Sequence, residues 1–486
     1  MALDHDVEEL KRKKICCKCV DDDFLKQDII KQGKKRKCSY CRRIAKCVSV
    51  EDLADRVEKA FEQHYHRTSN EPTSYQYAML KDKEFNYVWE REGDNVVDAI
   101  AYAVGLPDDL AASDIQTILS ERHLDFDNAA MGIEEEFDSE SCYERNEPNA
   151  GQWHGEWYYF QDSLKTQTRF FSQSASALLK SIFNGVDEIE TDNNCSLIVD
   201  AGPNTKLEEV FRARGFQSDK VLGNALMQPD KELGPPPANL ARAGRMNAQG
   251  ISVFYGANTP ETALSEIRPP VGSKVVIARF EITRKLRLLD LTALDSVASQ
   301  GSIFDPTFID RIQKALFLRT LGNLMTIPVM PDNETLDYLP TQAVADFLSS
   351  ENIPKLDGII FPSAQTAGNA LNVVLFHKAS IVEKIETFGG TDLDVHLGYG
   401  DSDGWTIDYT VYEKDPPKAK QTKRKSLLPT GFYSLVDTID NFNKPQVPSL
   451  KIDIESIRVH HVSSVKFTTQ DYPVTRVKLE KREPGF

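Results

Sequence analysis

The sequence predicts an α+β protein with four parts: a small cysteine-rich module, a helical domain, a mixed α+β domain and a β-rich extension. Three observations lead to this class. Six of the eight cysteines lie within the first 47 residues. Apolar residues then recur at helical spacing from residue 49 to about residue 185. After residue 205, short apolar runs between glycines and prolines are typical of strands joined by short helices.

Composition and charge exclude several classes of protein. The chain has 486 residues, 40% of them hydrophobic, which suffices for folded cores and about three domains. No run approaches the roughly 18 apolar residues of a membrane span, and the first residues lack the apolar stretch of a secretory signal. We therefore expect a cytoplasmic protein without a membrane partner.

The net charge of −16 is unevenly distributed. Residues 1–47 hold 14 Lys+Arg and 8 Asp+Glu, a net of +6, which leaves 44 basic and 66 acidic residues, a net of −22, for the rest. An acidic body repels phosphates, so nucleic acid is not expected as a partner there. The basic run KQGKKRKCSYCRR in the head either contacts a nucleic acid or protein regulator, or is a solvated face.

The first module, residues 1–48, carries the cysteine spacing of a structural metal site. Two CxxC pairs are separated by eighteen residues, the two-knuckle pattern that holds a tetrahedral zinc ion. Four thiolates leave no open position for water, so the zinc is expected to be structural. Cys17 and Cys47 leave the choice of quartet open. The predicted ligands are Cys16, Cys19, Cys38 and Cys41.

Residues 49–190 form the predicted helical domain, and residues 205–385 the mixed one. Ser49 is a good helix cap because Asp52 follows three residues later. In the mixed domain, TPETALSEI is typical of a short helix with Thr259 as its cap. The predicted strands of that domain include VFRARGF, GISVFYGA, KVVIARFEI, LRLLDL, LDGIIFPS and NVVLFH.

Several polar residues of the mixed domain together suit a nucleotide. Arg212 and Arg245 lie near strand ends or loops, where guanidinium groups match the oxygens of a diphosphate. Tyr255 offers a flat ring, and Glu266 a carboxylate that can bind ribose or stabilise a cationic sugar. Ser363 follows a predicted strand. This set fits a nucleotide with a labile glycosidic bond, such as NAD+, unless the residues are scattered over the surface.

The segments AGRMNAQGISVFYGANTPETALSEIRP, PTQAVADFL and LDGIIFPSAQTAGNALNVVLF resemble the RES domain over roughly residues 205–385. The resemblance implies a fold similar to ADP-ribosyltransferases, a split mixed β-sandwich with flanking helices. RES proteins include toxins of toxin–antitoxin pairs that destroy NAD+ by phosphorolysis or hydrolysis. NAD+ as substrate, inorganic phosphate as a second partner, and a growth-inhibitory or antiphage defence role are therefore implied.

The resemblance also assigns roles. Arg212 and Arg245 would bind the diphosphate, and Tyr255 would face the nicotinamide. Glu266 would hold the nicotinamide ribose and stabilise an oxocarbenium-like state, with Ser363 orienting Glu266 or a phosphate. The second-rank candidates are Arg242, Arg268 and Asn372, the last as a substrate-binding residue.

The N-terminal parts resemble the HEPN-like region that precedes the RES domain in some larger RES proteins. HEPN ribonucleases carry an Arg and a His about four to six residues apart on one helix. Here Arg56 and His64 are eight positions apart, whereas Arg122 and His123 are adjacent and should point in different directions. We therefore expect this region to sense a partner, restrain the catalytic domain or form a homo-oligomer, and do not expect ribonuclease activity.

The last part, residues 386–486, is a predicted β-rich extension with alternation in WTIDYTVYE and SSVKFTTQ and a basic loop PPKAKQTKRKS. Two other functions stay open for the whole chain. One is a non-catalytic nucleic-acid sensor with the RES-like domain as a scaffold, and the other is transfer of ADP-ribose to a protein or nucleic acid.

Overall fold

A computed structural model of the chain describes residues 2–82, 87–298, 300–366, 368–387, 391–401, 404–415, 447–466 and 469–477. Helices make up 38% and strands 24% of the structure, so the predicted α+β class is confirmed. The chain divides into two compact units. The first comprises Met1–Asp162, Ile189–Cys195 and Leu294–Leu321, and the second comprises Ser163–Glu188, Ser196–Ala293 and Gly322–Phe486. The division into four domains stays a prediction.

The first unit is mainly helical. Its helices are α1 (Ala2–Arg12), α2 (Asp23–Gln32), α3 (Val50–His64), α4 (Ser74–Lys81), α5 (Val96–Val104), α6 (Asp109–His123), α7 (Phe126–Ala130) and most of α8 (Gly151–Thr166). Its strands are β1 (Lys14–Cys16), β2 (Lys34–Lys37), β3 (Ile44–Ser49), β4 (Tyr65–Arg67), β5 (Asp94–Asn95) and β6 (Cys142–Arg145). None of the helices in the described parts of the chain is long and apolar enough to cross a membrane.

One apolar core joins the cysteine-rich residues to the helices of this unit. Ile15 and Leu25, which flank the first cysteine pair, are fully buried together with Leu53 of α3. Tyr143 and, from a much later segment, Phe308 belong to the same core. The burial of these side chains stabilises the whole unit at once, since apolar area removed from water contributes about 25 cal/mol per Å².

The local prediction for α3 is confirmed, but the region is not all-helical. Ser49 accepts a hydrogen bond from the Asp52 backbone at 3.1 Å, and the Asp52 side chain accepts one from the Ser49 backbone, which forms a capping box. A small antiparallel sheet with the order β4-β6-β5 lies in the same unit. The expectation of an all-α domain was therefore wrong, because strands of two to four residues leave no readable alternation.

The second unit is a mixed α+β domain. Its helices are α9 (Gln173–Phe183), α10 (Asp219–Met227), α11 (Pro229–Glu232), α12 (Pro260–Glu266), the end of α13 (Phe308–Thr326), α14 (Glu334–Asp337) and α15 (Leu339–Ser350). Its strands are β7 (Ile198–Ala201), β8 (Glu209–Phe216), β9 (Phe254–Ala257), β10 (Lys274–Ile282), β11 (Leu286–Asp290), β12 (Gly358–Pro362), β13 (Leu371–Leu375), β14 (Asp392–Asp401), β15 (Gly404–Lys414) and β16 (Leu450–His461).

Eight of these strands form one sheet with the order β16-β10-β8-β9-β13-β12-β11-β7. Only β11 and β12 pair in parallel, and the other registered neighbours are antiparallel. The strands β8 and β9 share a single registered pair, Phe211 with Ala257. The β8–β9 ladder therefore has the fewest registered pairs in this sheet. The similarity to an ADP-ribosyltransferase sandwich stays a prediction.

The predicted elements of the mixed domain are present, whereas the extension differs from its prediction. All six predicted strands correspond to observed ones, from β8 to β13. The alternation in WTIDYTVYE belongs to β15, which pairs with β14. The remaining strand of the extension is β16, which pairs with β10. The described residues of SSVKFTTQ, 463–466, 469 and 470, form no strand. The basic loop PPKAKQTKRKS lies outside the described residues.

Candidate active site

A cavity of about 520 Å³ lies in the second unit beside β8, β9, β13 and α12. This size is within the usual range for small-molecule sites, roughly 300–1,000 Å³. Ser363 does not line the cavity but contacts a residue that does. The predicted residues on the wall are Arg212, Arg245, Tyr255, Glu266 and Asn372.

Arg212 brings an unpaired positive charge to the cavity. It stands on β8 opposite Ala278, and its Nη1 atom is buried without a hydrogen-bond partner among the described residues. Its guanidinium carbon lies 4.8 Å from the centroid of the Phe254 ring, a favourable cation–π distance. Burial, together with the neighbouring charge of Arg214, lowers the pKa of Arg212 to about 10. A cation held in this way is suited to bind an anion.

Glu266 supplies a carboxylate that two side chains hold in place. It ends α12, whose first turn contains Pro260 and is capped by Thr259. Its Oε1 atom accepts hydrogen bonds from Ser363 Oγ at 2.5 Å and from Asn372 Nδ2 at 2.8 Å. No donor reaches its Oε2 atom within the described part of the chain. One carboxylate oxygen is thus fixed, and the other can accept a further hydrogen bond.

Ser363 has a second task beside its bond to Glu266. Its Oγ atom accepts hydrogen bonds from the backbone N–H groups of Gln365 at 3.1 Å and Thr366 at 3.2 Å. Because those bonds use the lone pairs of the oxygen, the hydroxyl hydrogen is directed to Glu266. The serine therefore both caps its own loop and orients the carboxylate.

Tyr255 is tied to the loop that follows the proline-rich segment. Its hydroxyl donates to Asn247 Oδ1 and accepts from the Met246 backbone N–H, both at 2.9 Å. Burial raises the pKa of Tyr255 to about 12. A Cβ atom at Gly244 would lie 2.7 Å from both oxygens of the Tyr255–Asn247 bond, so only glycine fits there. The tyrosine ring forms a fixed part of the wall.

Arg245 is engaged with backbone carbonyls at the end of α13. Its Nη1 donates to Met325 O and its Nη2 to Ile327 O, both at 2.9 Å. Its guanidinium carbon lies 5.2 Å from the centroid of the Tyr338 ring. Much of the donor capacity of Arg245 therefore holds the cavity wall together.

The comparison with known families places this cavity in a defined domain. Residues 210–397 match the family model of the RES domain. The chain contains a RES domain. Every residue that lines the cavity lies within the matched range. Comparison with curated proteins and with solved structures gave no significant match.

Several residues that shape the RES cavity carried no clear signal in the sequence. Gln342 donates to Gly244 O at 2.8 Å, and Thr341 donates to Arg245 O, so α15 holds the same loop. The segment PTQAVADFL contains both, but its pattern indicated only a helix. Of the second-rank arginines, Arg268 lines the cavity with a left-handed backbone, and Arg242 is exposed.

Outside the RES domain, four cysteine thiols form a compact cluster. Their sulfur atoms lie within 4.8 Å of one another, with Cys16–Cys41 at 3.5 Å and Cys19–Cys38 at 3.8 Å. Sulfurs at the corners of a tetrahedron around zinc, with Zn–S of about 2.3 Å, lie about 3.8 Å apart. The geometry therefore fits the ion. Cys47 instead lies 3.4 Å from the carbonyls of Arg36 and Ala45.

Three of the Arg and His residues that were compared with the HEPN pair interact with carboxylates of the same unit. Arg122 Nη1 and His123 Nε2 lie 2.8 and 2.7 Å from the two carboxylate oxygens of Glu58. The expectation that these neighbours point in different directions was therefore wrong, because the end of α6 lets both reach one carboxylate. Arg56 forms an ion pair with Asp28 at 2.7 Å.

Proposed function

We propose that the RES domain binds NAD+ in this cavity and cleaves the bond between nicotinamide and ribose. RES domains are generally associated with NAD-related toxin function, and that association is the starting point. One observation carries the finer proposal. The same cavity holds the half-buried guanidinium of Arg212, whose Nη1 has no partner among the described residues, and the carboxylate of Glu266, which two donors orient.

Arg212 would bind the diphosphate of NAD+. An unpaired cation in a partly buried site gains more from an anion than an exposed one, because water screens the charge less. Arg245 already donates to two carbonyls, so its role would be to hold the wall and to add a weaker attraction. Binding energy from the diphosphate, remote from the bond that breaks, would be used to position the ribose.

Glu266 would stabilise the sugar as positive charge develops on it. When the glycosidic bond breaks, nicotinamide leaves with the bonding electron pair and the ribose becomes oxocarbenium-like. A carboxylate whose Oε1 is fixed can direct Oε2 to the ribose hydroxyls and the ring without reorganising. Ser363 and Asn372 are positioning residues in this scheme, and the Tyr255 ring would stack on the nicotinamide.

Attack by inorganic phosphate would give nicotinamide and ADP-ribose phosphate, whereas attack by water would give nicotinamide, ADP-ribose and a proton. Incubating the protein with NAD+, with and without phosphate, and separating the products distinguishes these reactions. ADP-ribose attached to the protein would show transfer instead. If the protein is an intracellular toxin, cells that produce it should stop growing because NAD+ is consumed. Cells that produce a variant without the Glu266 carboxylate should continue to grow.

The matched pair of variants is Glu266→Gln and Glu261→Gln. Both lie on α12, but Glu261 is exposed and does not line the cavity. Loss of a preorganised charge that acts on a transition state lowers kcat by about 10²–10³-fold. We expect that loss in nicotinamide release for Glu266→Gln and none for Glu261→Gln. Equal rates for Glu266→Gln and the parent would overturn the proposal.

We also propose that the cysteine cluster holds a structural zinc ion. Four thiolates complete a tetrahedral shell, so the ion would stabilise the first unit and take no part in the reaction.

A further inference from the structure

The stretch from Ile29 to Val50 contains eight Lys and Arg residues and no Asp or Glu. It comprises the end of α2, the strands β2 and β3 and the second cysteine knuckle. This segment has a local charge of +8 in a chain whose net charge is −16. The basic residues are Lys31, Lys34, Lys35, Arg36, Lys37, Arg42, Arg43 and Lys46.

The geometry of the sheet leaves these charges exposed. β2 is an edge strand in the order β1-β3-β2, and all four of its side chains, Lys34–Lys37, are exposed. Lys35 lies directly opposite Lys46 in the β2–β3 ladder. Like charges in such a pair repel, and Lys46 reaches only the Gly33 carbonyl, at 2.9 Å. An anion across this face would remove the repulsion.

Three other lysines of the same unit form ion pairs within the protein. Lys11, Lys13 and Lys26 lie 3.0, 2.7 and 3.3 Å from the carboxylates of Glu8, Asp114 and Asp23. Among the described residues, none of the eight cations from Lys31 to Lys46 forms an ion pair. These eight exposed cations therefore form a segment of positive charge without ion pairs in the described structure, which we name the basic ribbon (residues 31–46).

We propose that the basic ribbon binds duplex DNA through its phosphates. β1 pairs only with Cys47–Ser49 of β3, so Lys35–Lys37 and Ile44–Lys46 form a two-stranded antiparallel end of the sheet. Such a ribbon fits the major groove of B-form DNA, whereas the deep, narrow groove of A-form RNA excludes side chains. Single-strand binding relies on aromatic side chains that stack on bases. The only aromatic residue in the ribbon is Tyr40, and its hydroxyl is bonded to Asp114 at 2.6 Å. Contacts of this kind carry no sequence specificity.

The test measures how binding depends on salt. Fluorescence anisotropy with a labelled 20-base-pair DNA and the full chain would be recorded from 50 to 200 mM NaCl. Each phosphate contact contributes about 0.9 to the slope of log K against log salt. The parent protein should bind the DNA in 50 mM NaCl. A triple Lys→Gln change in β2 should weaken binding and reduce the slope by about 0.9–2.7, for one to three lost contacts. That variant carries K34Q, K35Q and K37Q.

A matched triple variant with the changes K206Q, K220Q and K355Q removes the same charge from exposed positions in the second unit. It should keep the slope of the parent. No binding by the parent at 50 mM, or an unchanged slope after the β2 substitutions, would overturn the proposal. Equal or tighter binding of a single strand of the same length would overturn the assignment to a duplex. None of these outcomes depends on NAD+ cleavage.

Discussion

Replacing Arg212 by Met should stabilise the free protein while removing its affinity for the ligand. The methionine side chain keeps the apolar stem of the arginine but not its charge. Arg212 Nη1 is buried, and no described residue forms a hydrogen bond with it; a buried charge without a partner destabilises a fold. The same substitution should therefore change stability and binding in opposite directions.

The size of the effect follows from the pKa of Arg212. Burial lowers this pKa to about 10, roughly 2.5 below the ordinary value of arginine, and each pKa unit corresponds to about 1.4 kcal/mol. Since a pKa of about 10 is still above 7, Arg212 is charged at pH 7. Burying this charge therefore destabilises the folded protein by about 3 kcal/mol at that pH. Partial exposure reduces it to about 2 kcal/mol. Loss of the contact with Phe254 removes about 1 kcal/mol of stabilisation. The net gain is about 1 kcal/mol, or about 2 °C in melting temperature.

Thermal melts with and without ADP-ribose measure both effects. A ligand at 100 times its Kd adds about 2.7 kcal/mol to the stability of the parent, and Arg212→Met should lose this gain. Arg214→Met is the control, because Arg214 lies two positions along the same strand and is already paired with Glu232 at 2.9 Å. Arg214→Met should change the melting temperature, and the stabilisation by ADP-ribose, much less than Arg212→Met does.

Two results would refute this reasoning. A lower melting temperature for Arg212→Met would show that the arginine stabilises the free fold. An undiminished response to ADP-ribose would show that the charge of Arg212 does not bind the ligand.

Four further substitutions test other parts of the chain. Ser363→Ala and Asn372→Leu each remove one of the two donors to the glutamate carboxylate, and should lower kcat about 10-fold or more with a smaller change in KM, measured by nicotinamide release. Gly244→Ala should destabilise the fold by about 1–3 kcal/mol in chemical unfolding, because its Cβ atom would clash with the tyrosine–asparagine bond. Cys38→Ser, or a zinc chelator, should release the metal and lower the melting temperature of the first unit.

The glycine and cysteine predictions each have a control variant in the same chain. A Cβ atom at Gly155 would meet nothing within 4 Å, so Gly155→Ala should not destabilise. Cys47 lies outside the thiol cluster, so Cys47→Ser should retain one zinc ion per chain in metal analysis. Loss of zinc from Cys47→Ser would contradict the proposed ligand set, and full activity of Ser363→Ala would contradict the positioning role of that serine.

Local structure in the RES domain could be predicted because each element carries its own signal. Thr259 and Pro260 mark the start of α12, and continuous apolar runs mark the buried strands. Hydrogen bonds between distant positions could not be derived in this way. Ser363 and Asn372 contact Glu266 across 97 and 106 positions, and only the resemblance to a family indicated that such residues belong together.

The strand pairing of the extension and the contacts of Arg245 could not be predicted, because a sequence pattern does not show which groups a segment meets in the folded chain. Residues 450–461 and SSVKFTTQ both alternate in sequence. Residues 450–461 pair with β10, whereas the described residues of SSVKFTTQ form no strand. Likewise, the position of Arg245 in a loop does not show whether its guanidinium meets a ligand or the carbonyls at the end of α13. Both outcomes depend on which surfaces the folded chain brings together.

The core of the first unit also sets an order of events during synthesis. Tyr143 and Phe308 belong to that core but are 165 positions apart. A ribosome that adds roughly 5–20 residues per second needs about 8–33 s to travel between them. Throughout that time the first unit lacks part of its apolar interior, although the four cysteines of the thiol cluster have already been made. The strands that carry Arg212 and Tyr255 are therefore synthesised before the N-terminal unit can complete its own fold.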